Sequence, residues 1–235
     1  MTEIALKYGH FCPIALALEK IGDKWSLLIV RDLLQKPRRF TDLMLSLGKI
    51  TPRWLTLRLR ELEADGIVER DSRKGRREVW YRLTPVGKEL LPVMETLLNW
   101  GLRHAMRPPM PGEVVNPELM LRGMARFLNA KAKRLSGSRQ WCMAFPQGAF
   151  TMTFDGKQWS MSEGSPRHPD VVIETTPETW AKISTVSRAE RQRLLNAVHL
   201  VGNPDRIEEF KDVFGLTPKK SSHKKPNPLQ KRNEK

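Results

Sequence analysis

Cysteine is scarce in this chain: two among 235 residues, Cys12 and Cys142, too few and too far apart to suggest a disulfide framework or a spaced zinc set. Histidine is thinly spread as well. His10, His104, His168, His199 and His223 stand apart from one another, and no HExxH, GxSxG or phosphate-cradling glycine loop occurs, so no catalytic set, cofactor or metal is expected. Apolar runs fall short of the roughly 18 to 20 residues that cross a bilayer, and no basic stretch followed by an apolar one opens the chain. The expectation is a cytoplasmic protein without a membrane partner.

What the chain has in excess is positive charge. Forty-one Lys and Arg against 26 Asp and Glu give +15, a balance that suits a polyanionic partner. Residues 1–107 hold 20 basic and 13 acidic side chains, residues 108–216 hold 14 and 12, and residues 217–235 hold 7 and 1. This division predicts a basic domain at 1–107, a linker at 108–116, a nearly neutral domain at 117–216 and a disordered basic tail at 217–235. The linker is marked by Pro108-Pro109-Met110-Pro111-Gly112, which cannot continue a helix. An apolar fraction of 40% with seven Trp supplies each domain with material for a core.

Helical spacing runs from 13 to 34 with a break at Gly22-Asp23, and the second piece, Lys24 to Leu34, presents Trp25, Leu28, Ile29 and Leu33 as a stripe. A short helix spans Phe40 to Leu47. Thr51-Pro52 then opens another, because Thr at the cap and Pro at the first helical position satisfy or remove orphan amide donors. That helix ends at Gly66. Ile67 to Arg70 and Val79 to Leu83 read as a β-hairpin with a basic tip. Thr84-Pro85 begins a helix reaching about Ala105, with Leu90, Val93, Met94, Leu97 and Trp100 on one side.

Helix, turn, helix and basic hairpin in this order describe a winged helix, whose second helix enters the major groove while the wing follows the backbone. With Leu55 at zero and about 100° per residue, Leu59 and Leu62 fall within about 40° of it and form a core stripe. Arg53, Leu57 and Arg60 then face away, with Thr56 beside them and Thr51 at the start. A guanidinium fork matches guanine edges and phosphates, although two arginines alone also describe a solvated face. Arg73, Lys74, Arg76 and Arg77 around Gly75 favour the DNA reading, since four like charges in one hairpin repel each other but suit phosphates or a narrow minor groove. Arg38 and Arg39 read equally as phosphate contacts or as a solvated turn.

Cys12-Pro13-Ile14, Gly22-Asp23-Lys24-Trp25, Phe40-Thr41-Asp42-Leu43, Ile50-Thr51-Pro52, Leu59-Arg60-Glu61-Leu62-Glu63-Ala64-Asp65-Gly66 and Tyr81-Arg82-Leu83-Thr84-Pro85-Val86-Gly87 resemble the HxlR-type family of winged-helix regulators over about residues 10–105. The resemblance implies a homodimer, paired through the first and last helices of this domain, that recognises a palindromic operator in double-stranded DNA and represses or activates neighbouring genes. It also implies residence on the bacterial nucleoid. Leu57 departs from the family, which often carries a polar side chain such as Gln there, and suits a thymine methyl. Some relatives use an N-terminal cysteine as an oxidant or electrophile sensor, which makes Cys12 a candidate redox sensor near His10 and Lys7; a small buried residue beside Pro13 is the alternative.

The second domain is expected to be α+β. A helix over roughly Glu118 to Leu135 precedes strand-like runs at Gln140 to Phe145, Ala149 to Phe154, Lys157 to Met161 and Val171 to Thr175, with Asp155-Gly156 as a hairpin turn. Helical signals return at Pro177 to Ile183, Arg188 to Asn196 and Asp205 to Phe214. The run from Pro169 to Trp180, His199-Leu200-Val201-Gly202-Asn203-Pro204 and Phe214-Gly215-Leu216 is similar to the sterol carrier protein type two family. That likeness implies an apolar tunnel for a small-molecule effector, lined by Met120, Met124, Phe127, Leu128, Trp141, Phe145, Phe150 and Trp159; the same side chains equally describe a filled core. Two functions therefore compete: a sequence-specific regulator, acting as a repressor, with an effector domain, and a lipid carrier or scaffold with nonspecific nucleic-acid attachment.

Overall fold

The computed structural model describes residues 8–71, 78–131 and 135–216. The chain divides into two compact units, one drawn from residues up to 106 with 112–114, the other from 107–111 and from 115 onward. No helix or strand lies between His104 and Pro117. The basic tail expected at 217–235 lies outside the described residues.

The first unit runs α1 (Pro13–Ile21), α2 (Ser26–Leu33), β1 (Arg38–Arg39), α3 (Phe40–Leu47), α4 (Pro52–Ala64), β2 (Val68–Asp71), β3 (Trp80–Leu83), α5 (Pro85–Lys88) and α6 (Leu91–His104). The strands form an antiparallel sheet in the order β1-β3-β2. Ile29, Val30, Leu43, Leu55, Leu59, Leu62, Val68 and Leu83 share its core. Burying such side chains stabilises the fold by about 1.5–3 kcal/mol each.

Three differences from the expected elements have physical causes. The helix expected to run unbroken from Pro85 is two helices, because Pro92 has no N–H to donate and its ring clashes with the carbonyl of Lys88, where α5 ends. The helix expected from Lys24 starts at Ser26, since the Asp23 carboxylate accepts from the Trp25 N–H at 2.9 Å and holds the entry in a turn. Strand β1 was not expected at all. It exists by pairing with β3, Arg38 opposite Tyr81 and Arg39 opposite Trp80, a partnership that two residues of local sequence do not encode.

The second unit is α+β: α7 (Pro117–Lys131), β4 (Arg139–Phe145), β5 (Gly148–Phe154), β6 (Trp159–Glu163), β7 (Val171–Glu174), α8 (Pro177–Thr185), α9 (Arg188–Leu195), β8 (His199–Gly202) and α10 (Pro204–Val213). Its sheet has the order β6-β5-β4-β7-β8, with β4 and β7 parallel and the other pairs antiparallel. Strand β8, unanticipated as a strand, completes one edge by pairing with β7. Asn129 clamps β6 to α7, its amide donating to the Trp159 carbonyl at 2.9 Å and its oxygen accepting from the Trp159 N–H at 2.6 Å.

Among the eight side chains suggested as an apolar lining, Leu128, Trp141, Phe145 and Trp159 are buried together in the core. Met120, Met124 and Phe150 pack against it. Phe127 does not belong with them: it is 49% exposed, because one turn of α7 places it away from the face that carries Leu121, Ala125 and Leu128. Trp141 packs against Trp159 at 4.3 Å between ring centroids and edge-on against Phe210 at 5.1 Å, arrangements that favour paired aromatic rings.

Candidate nucleic-acid interface

Helix α4 is set in place from both ends and along one side. At its start the Thr51 hydroxyl accepts from the Trp54 N–H at 3.3 Å and Pro52 occupies the first turn. Its leucine stripe is buried, with Leu55 and Leu62 at 0% and Leu59 at 2% exposure. At its end Gly66 adopts φ +69°, Ile67 N–H donates to Leu62 O, and Gly66 N–H donates to Glu63 O. Those two bonds close a Schellman motif, which needs a left-handed residue at this point.

The wing is fastened to that end. Thr84 N–H donates to the Ile67 carbonyl at 3.0 Å, the Thr84 hydroxyl donates to the Gly66 carbonyl at 2.6 Å, and its oxygen accepts from Gly87 N–H. Gly87 lies so close to this seam that a Cβ there would stand 2.1 Å from the Ile67 carbonyl oxygen. The glycine and threonine of the Thr84-Pro85-Val86-Gly87 run are thus explained by one joint.

Arginines on and around α4 fall into two groups. Arg58 is drawn inward, 3.3 Å from Asp23 and paired with Glu61, its side chain 11% exposed. Arg53 and Arg60 are exposed and form no ion pair among the described residues. Leu57 is exposed beside them. Thr56 is half-buried and its hydroxyl donates to the Pro52 carbonyl at 2.8 Å, so its proton is committed to the helix while its oxygen can still accept. The outward face expected for Arg53, Leu57 and Arg60 is the face observed.

Arg38 departs from a solvated turn, and Arg39 is half-exposed and tied to its neighbours. Arg38 is 8% exposed. Arg39 lies over the Trp80 ring, pairs with Glu78 at 2.8 Å and with Asp42 at 3.3 Å, and its backbone N–H donates to Asp42. Burial pushes the Asp42 carboxyl up, but the backbone N–H and guanidinium of Arg39 together outweigh it and hold the group below the usual carboxylate range. Arg39 thus joins β1 to β3 and α3. Arg73, Lys74, Arg76 and Arg77, expected as a basic hairpin tip, lie outside the described residues; β2 and β3 are paired from Val68–Leu83 to Asp71–Trp80.

Away from α4, helix α6 has no buried residue. Leu90 and Met94 touch the core, while Val93, Leu97 and Trp100 are exposed and line an apolar groove with Pro92 and Thr96. Phe11, Ile14, Leu16 and Leu18, in and just before α1, are exposed too. Cys12 occupies the N-cap position of α1, partly buried and without a side-chain cap hydrogen bond, and the nearby backbone N–H groups of Ala15 and Ile14 pull its thiol below the ordinary range. Cys142 is buried in β4 with its sulfur 3.0 Å from the Ser165 hydroxyl.

A three-helix core, a capped helix with an outward basic face and a β-wing fastened to its end define a winged helix-turn-helix DNA-binding unit. Residues 20–108 match the family described as HxlR-like helix-turn-helix. Over 97 residues, 41% of this chain and 76% of the relative, it is 38% identical to the HTH-type transcriptional regulator YdeP of Bacillus subtilis. An HTH-type transcriptional regulator of Synechocystis is 40% identical over 94 residues, 40% of this chain and 70% of the relative. Among solved structures, the redox regulator HypR in its oxidized form is 36% identical, covering 40% of this chain and 99% of its own, with a TM-score of 0.39. The chain belongs to the HxlR-type family of helix-turn-helix transcriptional regulators.

Proposed function

We propose that this regulator binds a palindromic operator as a homodimer, reading base edges with α4 and holding phosphates with the wing, and represses where that operator overlaps a promoter. The observation that carries the reading is the sorting of arginines: Arg58, Arg38 and Arg39 are engaged in the fold, while Arg53 and Arg60 are left outward on the same helix as the buried leucines. The exposed apolar faces of α6 and α1 support pairing of two copies through the first and last helices of this unit. Thr51 adds a hydroxyl at the helix start, Thr56 and Leu57 flank the arginines, and Arg73, Lys74, Arg76 and Arg77 supply the wing's charge.

The test is competition between a selected genomic duplex and random DNA, with about a thousandfold preference expected for the former. Arg53→Ala or Arg60→Ala is expected to cost about 1–3 kcal/mol at particular base pairs, while changes in the wing weaken all sequences alike. Equal losses on every sequence from all these variants defeat direct readout by α4.

For the second unit the proposal is a sterol-carrier-like effector domain taking an apolar small molecule near Met124, Leu128, Trp141, Phe145, Phe150 and Trp159. Its support is an aromatic cluster in which the indole N–H groups of Trp141, Trp159 and Trp180 are buried with no acceptor among the described residues, an arrangement that a ligand oxygen can satisfy. Mass spectrometry of small molecules released from the purified protein tests it. Cys12, half-buried at the N-cap position of α1, is proposed as the redox-responsive group.

A further inference from the structure

We infer that Trp54, together with Leu57, is a specificity-determining residue that reads thymine methyl groups next to the bases contacted by Arg53 and Arg60, an inference that rests on the DNA-binding reading above. Trp54 lies in the first turn of α4 and is 49% exposed, and Leu57, three residues on, is 40% exposed. Single exposed apolar side chains need no explanation. These two lie one above the other on the helix surface, Leu57 beside the outward arginines and Trp54 toward the side that carries the Arg58–Glu61 pair, so an apolar pair adjoins the basic face near the start of α4.

The Trp54 ring is also braced. The Arg58 guanidinium lies 5.7 Å from its centroid, and Arg58 is itself tied to Asp23 and Glu61. A cation held over a ring face stabilises that ring orientation, while about half the side chain stays open. A stiff apolar plate at the N-terminal end of a recognition helix is placed where base edges are met. In the major groove the one apolar feature that distinguishes base pairs is the thymine 5-methyl. Leucine and tryptophan here select for it, as the arginines select for guanine.

The experiment uses the full chain and a preferred duplex obtained by selection from a random pool. Uracil is then substituted for thymine one position at a time, which removes only the methyl group. The expected result is a loss of about fourfold at one or two thymines per half-site, the value of burying one methyl-sized group, and no loss elsewhere. Trp54→Ala is expected to abolish that sensitivity at one of them, and Trp54→Phe to retain it, both variants keeping the wild-type circular dichroism spectrum. A preferred duplex indifferent to uracil, or a uracil effect unchanged in Trp54→Ala, overturns the inference and leaves operator recognition standing. Equal loss on all sequences in Trp54→Ala also overturns it, assigning the ring to sugar and phosphate packing. Failure to select any preferred duplex removes both readings together.

Discussion

Arg58 of α4 reaches across to Asp23, in the turn between α1 and α2, at 3.3 Å, and Asp23 in turn accepts from the Trp25 N–H at 2.9 Å. One carboxylate therefore sets both the entry to α2 and the seating of the recognition helix. Asp23→Asn removes the charge that balances a nearly buried guanidinium, and a loss of about 1–3 kcal/mol is expected. Urea unfolding checks it: the midpoint falls while the slope stays unchanged. An unaltered midpoint shows that solvent screens the pair.

Gly87→Ala is expected to be among the costliest single changes in the first unit. Its new Cβ would stand 2.1 Å from the Ile67 carbonyl oxygen, so the joint between α4 and the wing must open, at about 2 kcal/mol or more. Gly101→Ala is the internal control. Nothing lies within 4 Å of a Cβ there and the residue is inside α6, so a gain of roughly 0.5–1 kcal/mol is expected. Thermal midpoints moving in opposite directions confirm the contrast.

Leu97→Asp places a charge in the apolar groove formed with Val93 and Trp100 without touching the buried core. Sedimentation velocity is expected to show a dimer for the wild type and a monomer for the variant, with binding to a palindrome falling to that of a half-site. A variant that still sediments as a dimer moves the pairing surface elsewhere.

The thiol of Cys12 is lowered by the backbone N–H groups of Ala15 and Ile14. Because the thiolate is the reactive form, alkylation of Cys12 by iodoacetamide in the native protein is expected to reach half its maximal rate at a lower pH than in the urea-unfolded chain. Buried Cys142 stays unmodified until unfolding. Coincident pH profiles for the folded and unfolded chain contradict the assignment.

In the second unit, Glu209 is held below the usual carboxylate range first by its hydrogen bonds from Arg139, one of them 2.9 Å long. A folded-state pKa below the unfolded one stabilises the fold above the unfolded value of about 4.3. That contribution fades as the pH falls through the lowered folded value. Stability is thus expected to drop on acidification below pH ~4.3, and Glu209→Gln to flatten that part of the profile. Chemical denaturation from pH 3 to 7 separates the two.

Local chemistry carried much of this architecture. Thr51-Pro52 and Thr84-Pro85 mark helix starts because a hydroxyl cap and a missing N–H act within one turn, and the α4 leucine spacing assigns its faces because a helix repeats every 3.6 residues. Caps, turn residues and hydrophobic period were therefore enough to specify the winged helix, its outward Arg53 and Arg60, and the α+β character of the second unit. The availability of other arginines was set by long-range contacts: Arg58 and Arg39 look as free as Arg53 in one dimension, but Asp23 and Glu78 reach them from elsewhere in the fold, and Arg38 is buried. Long-range pairing likewise decided β1 and β8, whose ladder partners lie distant in sequence, whereas the outward turn of Phe127 follows from helical spacing, which the lining expected from sequence does not obey. Ion pairs and sheet edges are made by proximity in space, and sequence spacing does not record it.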